Sequence, residues 1–178
     1  MSVYHAWIST SEDYLERRAM HRQAHLDRIL GLRTQGLVVA GGPAPDGRTA
    51  EVFYRAKQRS EVIRLIEEDP YYLAGAWATY ELREFSEFVE PFEMPPLVTN
   101  GSRRVTLVEG VTQQADLAEF ALIRLCEAGR VGFGGFFERE ATLVLLMTAD
   151  ETEALGWLTE TGFWEEGSLT PRPFLYVL

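Results

Sequence analysis

One order of strand and helix signals runs through this chain twice, and it limits the available folds more than any single motif does. Val3 to Ile8 is short, aromatic and β-branched, which predicts a strand. Thr10 and Ser11 can cap a helix, and Glu12 and Asp13 stand where the positive end of a helix dipole favours acids. That helix is predicted to run to about Gln35, with Leu15, Ala19, Leu26, Ile29 and Leu30 as its apolar stripe and Gly36 as its stop. Leu37 to Ala40 reads as a buried strand feeding the breaker cluster Gly41 to Gly47, and Glu51 to Arg55 as the next strand. Ser60 and Glu61 open a second helix with Val62, Ile63, Leu65 and Ile66, which stops at Asp69-Pro70. The alternating run Ala76 to Leu82 is a fourth strand. This β-α-β-β-α-β order is the split βαβ, or ferredoxin-like, arrangement.

The order then recurs. Pro91, Pro95 and Pro96 interrupt any helical period, so residues 92–103 are predicted to be a connector. Arg104 to Glu109 reads as a strand, and Thr112 to Ala128 as a helix carrying Leu117, Phe120, Ala121, Leu125 and Cys126. Gly129 stops that helix. Val131 to Glu138 and Ala141 to Ala149 read as a hairpin, Asp150 to Thr161 as a helix and Pro173 to Leu178 as a last strand. The expected fold class is α+β: two tandem ferredoxin-like units, residues 1–91 and 104–178. A four-stranded sheet with helices on one face leaves its other face bare, so two units in one chain are expected to pack sheet to sheet as an intramolecular pseudo-dimer. A homodimer beyond that is left open.

Composition narrows the function. The chain has 178 residues, 17 Lys and Arg against 27 Asp and Glu, and a formal charge of -10. Such a chain repels phosphate backbones and anionic lipid headgroups, so neither nucleic acid nor membrane is an expected partner. A single cysteine, Cys126, excludes an internal disulfide and a cysteine-cluster zinc site, which fits a cytoplasmic location. No apolar run approaches the ~20 residues of a membrane span.

The densest polar constellation is Arg18, Arg22 and His25, at i, i+4 and i+7 along the edge of the apolar stripe. Guanidiniums and an imidazole kept beside a core edge form a local inconsistency of the kind that marks sites. The plainer alternative sends both arginines to solvent and bonds His25 to a nearby carbonyl. His21 and His25 have the spacing of a helical metal pair, but no intervening Glu follows the HExxH pattern and two arginines oppose a cation, so no metal is expected. His5, between Tyr4 and Trp7, reads as a core or sheet-face histidine. Asp69-Pro70-Tyr71-Tyr72 is a helix-stop and turn device. It also presents a carboxylate that could hold a histidine Nδ1 proton, although spacing alone does not join Asp69 to His25. Gly41-Gly42-Pro43 lacks the residues of a phosphate loop and reads as a site of close backbone approach. Cys126 reads as a buried, inert thiol, and the GFGGFF run at residues 132–137 as a packed strand with bulge-permissive glycines.

The stretch from Arg18 to Glu84 resembles the YCII-related (YciI-like) family of the dimeric α+β barrel superfamily. The resemblance rests on Arg18, Arg22-Gln23-Ala24-His25-Leu26, Gly36, Ala40-Gly41-Gly42-Pro43, Ser60-Glu61, Asp69-Pro70-Tyr71 and Ala74-Gly75. It implies a pocket between sheet and long helix and a His–Asp active site, which falls on His25 and Asp69. Arg18 and Arg22 are then the basic positions beside it, with Tyr71 a further substrate contact. The second copy has Thr161-Gly162-Phe163-Trp164 in place of Asp69-Pro70-Tyr71-Tyr72 and no histidine, so one site per chain is expected.

The expected function is therefore enzymatic. His25 would act as general acid or base, Asp69 would orient it, and Arg18 or Arg22 would hold an anionic oxygen of a compact anionic, aromatic or lactone-like substrate. Isomerase, hydrolase and dehalogenase chemistry all suit this equipment, and no cofactor is expected. The rival from another class is a non-catalytic metabolite-binding or scaffold protein.

Overall fold

The computed structural model describes residues 1–85, 87–90, 95–137 and 140–178, with Glu87 and Phe88 described by their backbone alone. Of the predicted elements, connector residues 92–94 and the hairpin residue Glu138 lie outside the described residues. Two compact units divide the chain: Met1–Glu84 with Val177–Leu178, and Phe85–Tyr176.

The first unit is built from β1 (Ser2–Thr10), α1 (Tyr14–Thr34), β2 (Val38–Pro43), β3 (Thr49–Ala56), α2 (Arg59–Glu67), α3 (Pro70–Leu73) and β4 (Trp77–Phe85). Its sheet is antiparallel where paired and runs β2-β3-β1-β4. Local chemistry explains the boundaries. Asp13 stands at the start of α1 without a side-chain cap, so Thr10 and Ser11 do not cap it; the Thr10 hydroxyl instead donates to the Gly47 carbonyl at 2.8 Å. Gly36 ends the helix region at φ +73°, which glycine adopts at little cost. At α2 the Glu61 carboxylate accepts the Lys57 amide at 2.9 Å, a capping interaction three residues into the helix.

The apolar stripe predicted for α1 is corrected by the structure. Leu15, Ala19 and Leu30 are exposed, Leu26 is half-buried, and the buried residues are Tyr14, Ile29 and Leu32. The inward row is therefore Tyr14, Arg18, Arg22, His25, Ile29 and Leu32, in steps of three and four. Arg18, Arg22 and His25 occupy the middle of the inner face, not its edge. Of the predicted stripe only Ile29 is buried, and Tyr14 and Leu32 join it.

The Gly41-Gly42-Pro43 segment is the end of β2. The Gly41 carbonyl accepts both the Val177 and Leu178 amides, at 3.0 and 3.2 Å, and a Cβ at Gly41 would sit 3.1 Å from Leu178 Cδ1. Absence of a side chain permits that approach. The last strand accordingly ends earlier than predicted, because the chain's final two residues join the first unit.

The second unit comprises β5 (Glu87–Val89), β6 (Arg104–Val111), α4 (Ala115–Glu127), β7 (Val131–Phe136), β8 (Ala141–Leu146), α5 (Glu151–Thr159), a 3-10 turn (Glu166–Ser168) and β9 (Thr170–Leu175). Its sheet runs β5-β7-β8-β6-β9. Without β5, that is the order of the first sheet. Both units also carry a register shift two residues after the helix-ending glycine: Val38/Ala40 after Gly36, and Val131/Phe133 after Gly129. A shared irregularity at one position supports a tandem duplication more strongly than shared regularity does. The core of this unit packs Leu122, Leu125 and Ala118 of α4 with Leu158 of α5 against Val108, Phe136, Val144 and Leu146. Leu117 and Phe120, predicted for the apolar stripe of α4, are exposed. Thr112 lies before α4: its hydroxyl donates to the Phe163 carbonyl at 2.6 Å. Among the described residues, no helix is long and apolar enough to cross a membrane.

A histidine–aspartate pair in the first unit

Asp69 is placed by its own backbone. It follows the last turn of α2, and its Oδ1 accepts the Tyr71 amide at 2.9 Å, capping the short α3 whose first residue is Pro70. Gly75, at φ +68°, then turns the chain into β4, and the Ala76 amide closes on the Tyr71 carbonyl at 2.8 Å. The carboxylate is thereby held fully buried. Across from it, α1 delivers His25, whose Nδ1 donates to the same Asp69 Oδ1 at 2.8 Å.

Three contacts orient the His25 ring. Besides the carboxylate, it stacks on Tyr71 with centroids 3.9 Å apart and planes 12° apart, and meets the edge of Trp77 at 5.3 Å. The His25 side chain keeps 13% of its surface exposed, against 1% for Asp69. With Nδ1 donating to a carboxylate, Nε2 carries the free lone pair, and it makes no hydrogen bond among the described residues. One ring nitrogen is thus engaged by the buried carboxylate and the other is not.

The arginines lie on the same inner row and are half-buried. Arg18 hydrogen-bonds the Tyr71 hydroxyl and holds its guanidinium 5.9 Å from the Tyr14 ring centre. Burial pushes the Tyr71 phenol above its ordinary range, and the Arg18 hydrogen bond and charge, with the Arg22 charge, partly oppose this. Tyr71 thus remains a neutral donor at physiological pH. Tyr14, in edge contact with Tyr71 at 6.1 Å, is pushed up to about 12 by burial.

Sequence reasoning did not single out Trp77 or Tyr54. The Tyr54 hydroxyl, the Trp77 Nε1 and the second oxygen of Asp69 are all buried without a hydrogen bond among the described residues. Burial, followed by the Asp69 charge, raises the Tyr54 phenol. A tryptophan and a tyrosine in alternating strands look like core in any sequence, so nothing local marks them.

His5 is buried in the sheet, as predicted. Its Nε2 lies 2.7 Å from Glu51 Oε2, and its ring stacks on Phe53 at 4.9 Å. The sequence marks Glu51 as a strand residue, and an acid in the apolar run Glu51-Val52-Phe53-Tyr54 is the signal of a buried partner. His21 is half-buried apart from these pairs, and no cluster of three or more metal-ligating side chains occurs among the described residues. In the second unit, the residue eleven before the helix-ending glycine is Ala118 where the first has His25. Thr161 follows the end of α5 as Asp69 follows α2, and its hydroxyl accepts the Phe163 amide at 3.4 Å. The turn persists there without the pair.

Residues 2–86 match the model of the YCII-related domain. No curated protein matches the chain by sequence. Among solved structures, 5-chloro-2-hydroxyhydroquinone dehydrochlorinase from Burkholderia phenoliruptrix AC1100 is 21% identical at a TM-score of 0.41, covering 45% of this chain and 89% of that one. A protein described as a "putative monooxygenase" from Lactobacillus acidophilus NCFM is 9% identical at 0.61, covering 98% and 93%. A heme-binding protein from Thermus thermophilus is 10% identical at 0.55, covering 99% and 92%. The last two show that the α+β fold extends over the whole length of the chain.

Proposed function

Residues 2–86 are a YCII-related domain, and from that premise we propose that the first unit is an acid–base enzyme acting on a small molecule. The observation that carries this reading is the 2.8 Å bond from His25 Nδ1 to the buried Asp69, which leaves Nε2 as the acting atom. In this reading His25 Nε2 accepts or delivers a proton, and Asp69 holds the tautomer and the ring plane. Arg18 and Arg22 hold the anionic oxygen of an enolate, phenolate or carboxylate, and Tyr71 donates a neutral hydrogen bond beside them. A compact anionic, aromatic or lactone-like substrate matches a stacked ring flanked by two guanidiniums. Proton transfer of this kind serves isomerisation, lactone or ester hydrolysis, and elimination of halide from an activated ring.

The test is turnover of a panel of lactones and chlorinated phenols by the wild type and by His25→Ala. Loss of turnover in the variant, with an unchanged melting curve, supports the reading. Equal rates remove His25 from the chemistry.

A second reading, a metabolite-binding protein without turnover, is favoured by the second unit, which retains the fold and lacks the pair. Panel compounds that raise the melting temperature without being converted would support it.

A further inference from the structure

The second unit contains an open cavity of about 460 Å³, bordered by α4 and the segment after α5. Its walls are Leu117, Phe120, Ala121, Thr161 and Phe163, and Arg124 stands among them. Phe120 is 66% exposed and Leu117 46%, a large apolar surface to leave beside a concavity.

Comparison of the two halves shows why the cavity exists. Eight residues before the helix-ending glycine stands Arg28 in the first unit and Ala121 in the second. Arg28 reaches from α1 toward α2, donating to the Leu65 carbonyl at 3.2 Å and pairing with Glu68 at 3.1 Å. Ala121 has no side chain to bridge the corresponding helices. The cation of this face sits instead at Arg124, whose guanidinium makes no ion pair among the described residues. The lining therefore holds one uncompensated positive charge, no carboxylate, and otherwise hydrocarbon, aromatic ring and one hydroxyl.

We propose that this cavity binds a small amphipathic carboxylate, an aryl or medium-chain alkyl acid. The apolar body lies against Phe120, Phe163 and Leu117, and the carboxylate is gripped by Arg124, whose planar fork matches it with two parallel hydrogen bonds. A cavity of this volume suits one small ligand. Charge selects its sign: on a chain of formal charge -10, an unpaired guanidinium at an apolar cavity is a local anion site. This site is independent of the His25–Asp69 pair and of any chemistry there.

The experiment is calorimetric titration of the full chain with 2-naphthoate and with the neutral 2-naphthamide. Naphthoate should bind saturably at a site that depends on Arg124, and naphthamide should bind there at least tenfold more weakly. Arg124→Gln should abolish that preference. Ala121→Arg, which restores the first unit's residue, should fill the cavity and remove binding. His25→Ala should leave naphthoate binding at the Arg124 site unaltered. The proposal is overturned by absent saturable naphthoate binding, by equal binding of the amide, or by an unaffected Arg124→Gln. It is equally overturned if binding is lost only in His25→Ala, or if sedimentation shows a dimer that Phe120→Ser dissociates. Should Ala121→Arg fail to fold, Arg124→Gln alone decides, since Arg124 is exposed and its loss leaves the core intact.

Discussion

His25 Nδ1 and Asp69 Oδ1 stand 2.8 Å apart although 44 residues separate them in the chain. The same Asp69 oxygen also caps α3 by accepting the Tyr71 amide. One atom therefore holds both the α3 turn and the His25 ring, and the two contacts can be separated by substitution.

Asp69→Asn retains an oxygen for the Tyr71 amide, so the first unit should melt near the wild-type temperature. Turnover should nevertheless fall by roughly 10²–10⁴, the usual reach of a positioned acid–base group. Asp69→Ala should additionally destabilise the unit by about 1 kcal/mol through the lost cap. Nitrogen-edited NMR of the His25 ring checks the cause: its proton resides on Nδ1 in the wild type and loses that preference in Asp69→Ala.

Arg22→Gln and Arg18→Gln should raise KM more than they lower kcat, because guanidiniums that hold an anion contribute mainly to binding. Arg18→Gln has a second signature. Its guanidinium lowers the Tyr71 phenol against the upward push of burial, so its removal should move Tyr71 further up. Difference absorbance titration against Tyr71→Phe reads that movement, and a downward shift would contradict the contact.

Two glycines of the second unit should respond oppositely to alanine. A Cβ at Gly132 would meet Leu145 Cδ2 at 2.7 Å and Met147 Sδ at 3.1 Å, and Leu145 is fully buried. Gly132→Ala should cost about 1–3 kcal/mol by overpacking. Gly156 lies within α5 with nothing near its Cβ position, so Gly156→Ala should stabilise by about 0.5–1 kcal/mol. Urea denaturation of both variants checks the contrast.

Stability should fall at alkaline pH. Burial raises Cys126 from 9.0 to about 11 and Tyr14 from 10.0 to about 12. A group whose folded value lies above its unfolded value contributes fully below the unfolded value and loses that contribution as pH rises through the folded one. The loss should thus begin near pH 9 for Cys126 and near pH 10 for Tyr14, and finish near 11 and 12. Urea midpoints measured from pH 8 to pH 11 should decline less in Cys126→Ala than in the wild type. Cys126 should also alkylate slowly at pH 8, where almost none of it is thiolate.

Element order, both helix-ending glycines and the tandem arrangement were legible in the residues, because turn chemistry and periodicity act over a few positions. Gly36 and Gly129 both adopt positive φ for the same local reason. The Asp69-Pro70 stop was legible for that reason too. Which face of α1 turns inward was not. Hydropathy placed Leu15 and Leu30 inside, yet both are exposed, while Arg18, Arg22 and His25 line the inner row. Rotation of a helix is decided by its packing against the sheet, a sum over distant residues such as Tyr71 and Trp77 that no window of sequence contains. The meeting of His25 with Asp69, the partnership of His5 with Glu51, and the gap that Ala121 leaves open belong to that second class. Each depends on side chains brought together only when strands and helices have docked.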